Sequence, residues 1–266
     1  MSDLRVSWWG TYGLAIGEAA FLRVGPLSLW ATRREHEWRL MTVRGDDALD
    51  ATLDRRMPVD AGEIPSDAEP LRFGFGRAPE AVTILPVLAD RPVVVRPEMA
   101  FYVPPGESVR MYVSTPLWLR VVVGEAEEAA HELPIHRPSD TWFGPTVMEG
   151  ELCYASRSHL RLSADEVEFR PHRAVTELLL RNRAQDPLLL DRLKIPVEHL
   201  SVYAGNDGRL WTEPVTLVRD SDGDFAAVRI GERAPASVDG ARLLTPARER
   251  ADTNLVVRAF QALFHS

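Results

Sequence analysis

Apolar and polar residues alternate along several short segments of this 266-residue sequence, and this alternation restricts the fold more than any other feature. It runs through residues 71–75, 99–103, 109–113 and 117–123. A period of two places the apolar side chains of each segment on one side of a pleated strand. Turn residues such as Pro-Pro-Gly at 104–106 separate the segments. Short strands with frequent turns are typical of a sandwich or a barrel.

We therefore predict an all-β fold, with sandwich-like antiparallel sheets that form one large unit or two stacked units. No strand alternates with a helical pattern, as it would in an α/β protein. A β-rich N-terminal domain is expected over residues 1–163. It includes an acidic connector near 45–70, which forms either an exposed loop or one short amphipathic helix. A β-sandwich-like domain is expected over 164–240 and a helix within 241–266.

The C-terminal helix is predicted from a change in pattern, because residues 247–264 contain neither glycine nor proline. Asp252 or Thr253 is suited to cap its start. The apolar residues that follow helical spacing are Leu255, Val256, Ala259, Phe260, Leu263 and Phe264. Such an amphipathic helix either covers a sheet or pairs with another chain, so it is the expected route to a homo-oligomer.

Charge and composition exclude several classes of protein. The net charge is −8, and the sequence shows no basic stripe of the kind that binds nucleic acid. No apolar stretch approaches the roughly 20 residues that a transmembrane helix needs, so direct membrane insertion is not expected. Residues 8–22 contain Glu18 and three glycines, which is untypical of a secretory signal. With a single cysteine, Cys153, the expected location is the cytoplasm.

The sequence contains no recognisable catalytic or metal-binding motif, so neither catalytic residues nor a cofactor nor a metal is predicted. The seven histidines lack the spacing of a helical metal pair. Asp220, Asp222 and Asp224 resemble the start of a calcium loop, but Phe225 stands where such a loop needs glycine. A hairpin turn explains the same residues. Cys153 lies in an apolar strand and is expected to be a buried thiol.

One cluster of residues could form a ligand-binding site. Its members are Asp140, Trp142, Tyr154, Arg157 and His159. Aromatic faces beside an arginine and a carboxylate suit the recognition of a sugar or a nucleotide. The alternative is that the aromatic residues anchor the core and the charged residues line the ends of strands.

Several short motifs resemble an uncharacterised prokaryotic family, a β-rich domain of unknown function. They lie at residues 9–13 (WGTYG), 104–106 (PPG), 114–116 (STP), 143–154 (FGPTVMEGELCY), 181–183 (RNR) and 195–203 (IPVEHLSVY). The resemblance would span most of the chain and implies a β-rich fold. It also implies a link with small-conductance mechanosensitive channels, through a separate polypeptide. The family supplies no catalytic residues to transfer.

The expected function is that of a non-catalytic cytoplasmic binding or assembly module of unknown ligand, with a homo-oligomer or another protein as partner. The alternative is a hydrolase or lyase that acts on a carbohydrate or small molecule and gathers Asp140, Trp142, Arg157 and His159 at its site. A third possibility is a small-ligand sensor that uses the same aromatic cluster without turnover.

Overall fold

The fold is all-β, as predicted, with 53% of residues in strands. The structure is a computed structural model that describes residues 7–125, 130–146, 148–221, 223–251 and 256–261. Within those residues the only helical segments are three 3₁₀ turns, at Ala61–Glu63, Ala164–Glu166 and Val197–His199. None of the described helices is long and apolar enough to cross a membrane.

Strands supply almost all the regular structure. In chain order they are β1 (Gly10–Gly13), β2 (Ala19–Val24), β3 (Leu27–Arg33), β4 (Glu37–Arg44), β5 (Leu53–Val59), β6 (Glu69–Gly74), β7 (Ala81–Leu88), β8 (Val93–Pro97), β9 (Phe101–Val103), β10 (Ser108–Val123), β11 (His131–Pro134), β12 (Asp140–Phe143), β13 (Glu151–Leu160), β14 (Arg173–Asn182), β15 (Leu188–Leu190), β16 (Arg192–Ile195), β17 (Val202–Ala204), β18 (Leu210–Trp211), β19 (Val215–Arg219), β20 (Phe225–Ile230), β21 (Arg242–Thr245), β22 (Val256–Arg258) and β23 (Phe260–Gln261).

The chain divides into two compact units, each built from separate stretches of sequence. Unit 1 comprises the described residues of Met1–Val87, Leu117–His136 and Phe169–His172. Unit 2 comprises the described residues of the remaining stretches, Leu88–Pro116, Arg137–Glu168 and Arg173–Ser266.

Unit 1 contains a five-stranded antiparallel sheet in the order β5-β2-β3-β4-β6. Unit 1 also contains β1, β7, β11 and the second half of β10. Here β1 pairs with β7, and β11 pairs with β10. The core of unit 1 includes the fully buried Trp8 and Trp38. Each indole N–H donates to a backbone carbonyl, that of Trp8 to Pro171 at 2.8 Å and that of Trp38 to Pro79 at 2.9 Å. These partners satisfy the one polar group of each buried indole, as burial of tryptophan requires.

Unit 2 contains two larger sheets and the short pair β9–β15. In the first, β14 pairs with the first half of β10, with β18 and with β19, and the sheet continues through β17, β20, β21 and β22. The second has the order β12-β13-β8-β16-β23. The pairs β8–β13, β14–β18 and β14–β19 are parallel, so the sheets are mixed rather than purely antiparallel.

The predicted C-terminal helix is wrong for the residues that the structure describes, because 256–258 and 260–261 are strands. Strand β22 pairs with β20, and β23 pairs with β16. Ala259 and Phe260, which are both buried, thus complete sheets of unit 2. Sheet pairing overrides the helical spacing here, as tertiary context often overrides local propensity. Residues 252–255 and 262–266, with both candidate caps, lie outside the described residues.

The acidic segment at 45–70 is more regular than an exposed connector. Residues Leu53–Val59 form strand β5 at the edge of the sheet in unit 1, so the short amphipathic helix is not formed. The guanidinium groups of Arg55 and Arg56 stack on the rings of Tyr12 and Phe21, at 4.4 and 4.5 Å. These cation–π contacts favour the extended conformation of β5.

Candidate functional site

All five residues of the predicted ligand site lie on one hairpin of unit 2. Asp140 and Trp142 are on β12, while Tyr154, Arg157 and His159 are on β13. Asp140 lies directly opposite Tyr154 in the antiparallel pair. Because opposite residues share a face of the sheet, these two side chains are neighbours.

Tyr154 is the centre of a compact polar cluster. Its hydroxyl donates to Asp90 at 3.0 Å, and the guanidinium groups of Arg91 and Arg137 lie 5.5 and 5.6 Å from its ring centroid. Arg137 also donates to both carboxylate oxygens of Asp140, at 3.0 and 3.1 Å, and Arg91 lies 3.5 Å from the same carboxylate. Burial, reinforced by Asp90, raises the pKa of the Tyr154 phenol, so it stays neutral.

This arrangement limits what Asp140 can do chemically. Its carboxylate oxygens accept from Arg137, and Arg91 lies beside them, so they are already engaged by two guanidinium groups of the same cluster. A general acid or base must instead reach the substrate atom to which it gives, or from which it takes, a proton. The cluster around Tyr154 is therefore better suited to a structural role, in which it fixes the side chains on the hairpin surface, than to proton transfer.

Arg157 and His159 belong to a different part of the sheet. The register of β13 against β8 shifts between Ala155 and His159, so a bulge separates them from the Tyr154 cluster. Both side chains are exposed. Among the described residues, no hydrogen bond or ion pair joins either of them to Asp140. The structure thus brings three of the five predicted residues together and places the other two beyond the bulge.

The turn of the hairpin fixes the position of Trp142. The indole N–H donates to the carbonyl of Thr146 at 2.8 Å, which folds the ring against the turn. An added Cβ on Gly150 would lie 2.7 Å from both the Trp142 Nε1 atom and the Phe143 carbonyl oxygen. Glycine is required at 150 because any other residue would displace the indole or the strand.

Replacing Gly150 with alanine should therefore lower the free energy of unfolding by about 1 to 3 kcal/mol, the usual effect of forcing an extra carbon into a filled space. Urea denaturation measures the change. Gly76→Ala is the matched control, because a Cβ at Gly76 meets no atom within 4 Å. Equal stability of the two variants would show that the turn yields without strain.

The hairpin also exposes an apolar surface. Trp142 is 41% exposed, its Cα partner Leu152 is 44% exposed, and Met148 in the turn is 89% exposed. Trp142 and Leu152 share a face with Asp140 and Tyr154 because β12 and β13 pair without a register shift. We call Trp142, Leu152 and Met148 the apolar patch.

Strand β12 lies at the edge of its sheet. The Ala155 N–H donates to the Ser139 carbonyl at 2.9 Å, so these two residues form a hydrogen-bonded pair. Hydrogen-bonded pairs recur at every second residue along an antiparallel pair of strands. Residues 139, 141 and 143 then direct their backbone groups towards β13, and Asp140 and Trp142 direct theirs to the open side. Within the described part of the chain, no group bonds these outward N–H and C=O groups.

The opposite face of the same sheet buries ionisable groups that the sequence analysis did not select. Lys194, the chain's only lysine, is buried and contacts the Glu151 carboxylate. Burial lowers the pKa of its amine to about 8, with Glu198 acting in the opposite direction. Burial also raises the pKa of Glu198. The one feature of the sequence that could have drawn attention to Lys194 is that it is the single lysine among many arginines.

Cys153 is fully buried, which confirms the expected buried thiol. It packs with Val94 and Phe143 in a small apolar cluster. Burial, assisted by the charge of Glu198, raises the pKa of this thiol to about 12. At neutral pH the sulfur is therefore a thiol rather than the nucleophilic thiolate.

Among the described residues, no three histidine, cysteine, aspartate or glutamate side chains come close enough to hold a metal ion. Of the aspartates that resemble a calcium loop, Asp222 lies outside the described residues. The segment Phe225–Ile230 that follows is strand β20, which pairs antiparallel with β19.

Comparison with known families identifies the chain at the level of the family. A family model described as a protein of unknown function, DUF432, matches residues 8–265. The chain belongs to the DUF432 family. This confirms the resemblance to an uncharacterised β-rich family, and the match covers nearly the whole DUF432 chain. No curated protein and no solved structure matches it.

Proposed function

We propose that this DUF432 chain is a non-catalytic assembly module, and that it pairs with a second copy of itself through the open edge of β12. The observation that carries the proposal is the coincidence of an unpaired strand edge and the apolar patch on one hairpin. Natural proteins usually shield such edges because unpaired backbone groups accept a further strand. A cytoplasmic location, as expected from the sequence, is compatible with this proposal.

The backbone of β12 fits a copy of itself. When two β12 strands run antiparallel about a two-fold axis at Thr141, Asp140 of each copy lies opposite Trp142 of the other. These are the two residues whose N–H and C=O groups point outward, so each opposed pair can form two hydrogen bonds. A two-fold arrangement of this kind is self-complementary and closes at the dimer.

The side chains support the same contact. Trp142 and Leu152 lie side by side next to the edge, and association would remove part of their exposed area from water. The guanidinium groups of Arg91 and Arg137 border this area. Interfaces are enriched in tryptophan and arginine, with an apolar centre and a polar rim. Lysine, which natural proteins place on edges to block pairing, is missing here.

The proposal is tested by measuring mass in solution. Native mass spectrometry and light scattering, over about a hundredfold range of concentration, should show a dimer that dissociates on dilution. Trp142→Lys should raise the dissociation constant about 30-fold or more, because a central tryptophan contributes about 2 kcal/mol or more to an interface and a lysine opposes strand pairing.

A matched control is Leu162→Lys. Leu162 is an apolar residue of unit 2 that is 67% exposed and lies outside the hairpin. Its replacement should leave the dimer intact. A wild-type chain that stays monomeric at every concentration would refute the proposal, and so would a dimer that resists Trp142→Lys as well as it resists Leu162→Lys.

The enzyme alternative has less support. A hydrolase or lyase built on Asp140, Trp142, Arg157 and His159 needs an acid and a base within reach of one substrate atom. Asp140 is engaged by Arg91 and Arg137, whereas His159 lies beyond the bulge. No described contact links the two groups, so the assembly module remains the better proposal.

A further inference from the structure

Three basic side chains form a row across adjacent strands of the sheet that carries β12. His159 on β13 is the Cα partner of Arg96 on β8. On the other side of β8, Leu193 pairs with Val95, so the next residue of antiparallel β16, Arg192, lies beside Arg96. Paired residues share a face and lie about 5 Å apart, so the row spans roughly 10 Å. We call His159, Arg96 and Arg192 the basic row.

The basic row lacks the ion pairs that many other arginines of the described residues form. In the described residues, no carboxylate forms an ion pair with Arg96 or Arg192. The charge of its sequence neighbour Asp191 acts on Arg192 through space. Arg157, exposed two residues before His159, is also free of ion pairs in this part of the structure. Positive charge is thus in excess at this site, although the chain as a whole has a net charge of −8.

Arg192 also carries a polar group without a partner. Its Nε atom is buried and makes no hydrogen bond. Burial, followed by the charge of Arg96, lowers the pKa of this guanidinium. Like charges on neighbouring strands oppose pairing of the sheet, and an unsatisfied buried donor adds to that cost. An anion bound across the row would relieve the repulsion between the two guanidinium groups.

We propose that the basic row binds a phosphate-bearing small molecule. Two guanidinium groups and one imidazole present many donors on one face, and guanidinium groups match the oxygens of phosphate in a bidentate manner. The separation of about 10 Å across three strands suits an anion with more than one phosphate group. This site is independent of the proposed dimer contact, because it does not use the edge of β12.

Two sources of phosphate can be separated by experiment. The first arm titrates the wild-type chain with inorganic pyrophosphate and measures binding by calorimetry. The second measures sedimentation with vesicles that contain phosphatidic acid. The overall charge of −8 opposes a bilayer with an anionic surface, so binding is expected in the first arm only. Binding to the vesicles without binding to pyrophosphate would overturn the small-molecule proposal.

Variants then test the row itself. Arg96→Gln and Arg192→Gln should each weaken pyrophosphate binding at least tenfold. The control is Arg110→Gln, because Arg110 is also exposed in unit 2 but is paired with Glu177 at 3.4 Å. It should bind like the wild type. Equal losses in all three variants, or no saturable binding by the wild type, would overturn the proposal.

A second readout separates a ligand site from a structural role. Without ligand, Arg96→Gln should unfold at a higher temperature than the wild type, because one of two adjacent like charges is gone. With pyrophosphate, only the wild type should gain stability, since a ligand stabilises the fold that binds it. A variant that is less stable without ligand and still gains stability from pyrophosphate would identify Arg96 as structural.

Discussion

Replacing Arg219 with methionine is expected to lower the free energy of unfolding by about 2 to 3 kcal/mol, the usual result of losing hydrogen bonds to a charged group. The guanidinium is buried at the end of β19 and donates to both carboxylate oxygens of Asp186, at 2.8 and 3.0 Å. It also donates to the side-chain oxygen of Asn182 and to the carbonyl of Gly223. One side chain therefore joins the loop after β14 to the turn after β19.

The size of the effect follows from what the variant leaves behind. Methionine fills the space of the aliphatic stem but donates no hydrogen bond. The buried Asn182 oxygen would lose this guanidinium donor, and Asp186 would lose its bidentate partner. The Asn182 oxygen keeps the Ala184 N–H as a donor, and the half-exposed Asp186 carboxylate can be hydrated, so the cost is that of the lost hydrogen bonds to a charged group, about 2 to 3 kcal/mol.

Urea denaturation of the wild type and the variant measures the difference. Arg183→Met is the matched control on the same loop, because its ion pair with Asp220 is 3.8 Å long and both side chains are more than half exposed. An exposed pair contributes about 1 kcal/mol or less. Hydrogen exchange at β14 and β19 then shows whether the loss is local to these strands. A change below 1 kcal/mol at Arg219 would mean that water replaces the guanidinium without cost.

The strands of the fold were predictable because alternation is a local property. Residues 117–123 are the clearest case, since Leu117, Leu119 and Val121 alternate in sequence and are fully buried in β10. Which strands pair with each other, and in which direction, was not predictable. The β8–β13 pair joins segments about sixty residues apart, and it is parallel. Nothing in either segment alone encodes that choice.

The C-terminal segment shows the reverse case, in which a local pattern misled. Spacing typical of a helix brings Val256 and Phe260 to one helical face. Strands β20 and β16 nevertheless offered open edges to these residues, and pairing with them buries Phe260. An edge that needs a partner is a property of the folded sheet, so a window of sequence cannot reveal it.

The candidate site was predictable in part for the same reason. Asp140, Trp142 and Tyr154 meet because a short hairpin joins their strands, and a hairpin is a local structure. The bulge that moves His159 away from them, and the strand that brings Arg96 to His159, depend on contacts with β8. The basic row therefore had no signal in the sequence.

Replacing Lys194 with methionine is expected to have the opposite effect from Arg219→Met and to stabilise the fold by about 2 to 3 kcal/mol at pH 7. The Lys194 side chain is 5% exposed, and burial lowers the pKa of its amine from 10.5 to about 8. Each pKa unit corresponds to about 1.4 kcal/mol, so keeping the amine protonated in the fold costs about 3 kcal/mol. Glu151, the contact of Lys194, is 43% exposed and can be hydrated when the amine is removed.

The pH dependence of this gain gives the sharper test. Below pH 8 the amine is protonated in both the folded and the unfolded chain, so the whole cost of burying the charge is present. Between pH 8 and 10.5 the folded chain releases the proton while the unfolded chain keeps it, and the stability of the wild type relative to the variant rises with pH. The advantage of Lys194→Met should therefore be largest at pH 7 and should vanish near pH 10.5.

Other groups titrate in the same range but cancel in the comparison. The pKa of Cys153 and that of Tyr203 are both raised to about 12, which lowers the stability of the wild type and of the variant alike above pH 9. The difference between the two proteins, measured by urea denaturation from pH 7 to 10.5, reports on Lys194 together with Glu198, whose charge interacts with the amine. Arg110→Met is the control, because it removes an exposed positive charge instead of a buried one. If Lys194→Met is less stable than the wild type at pH 7, the ion pair with Glu151 outweighs the burial of the amine.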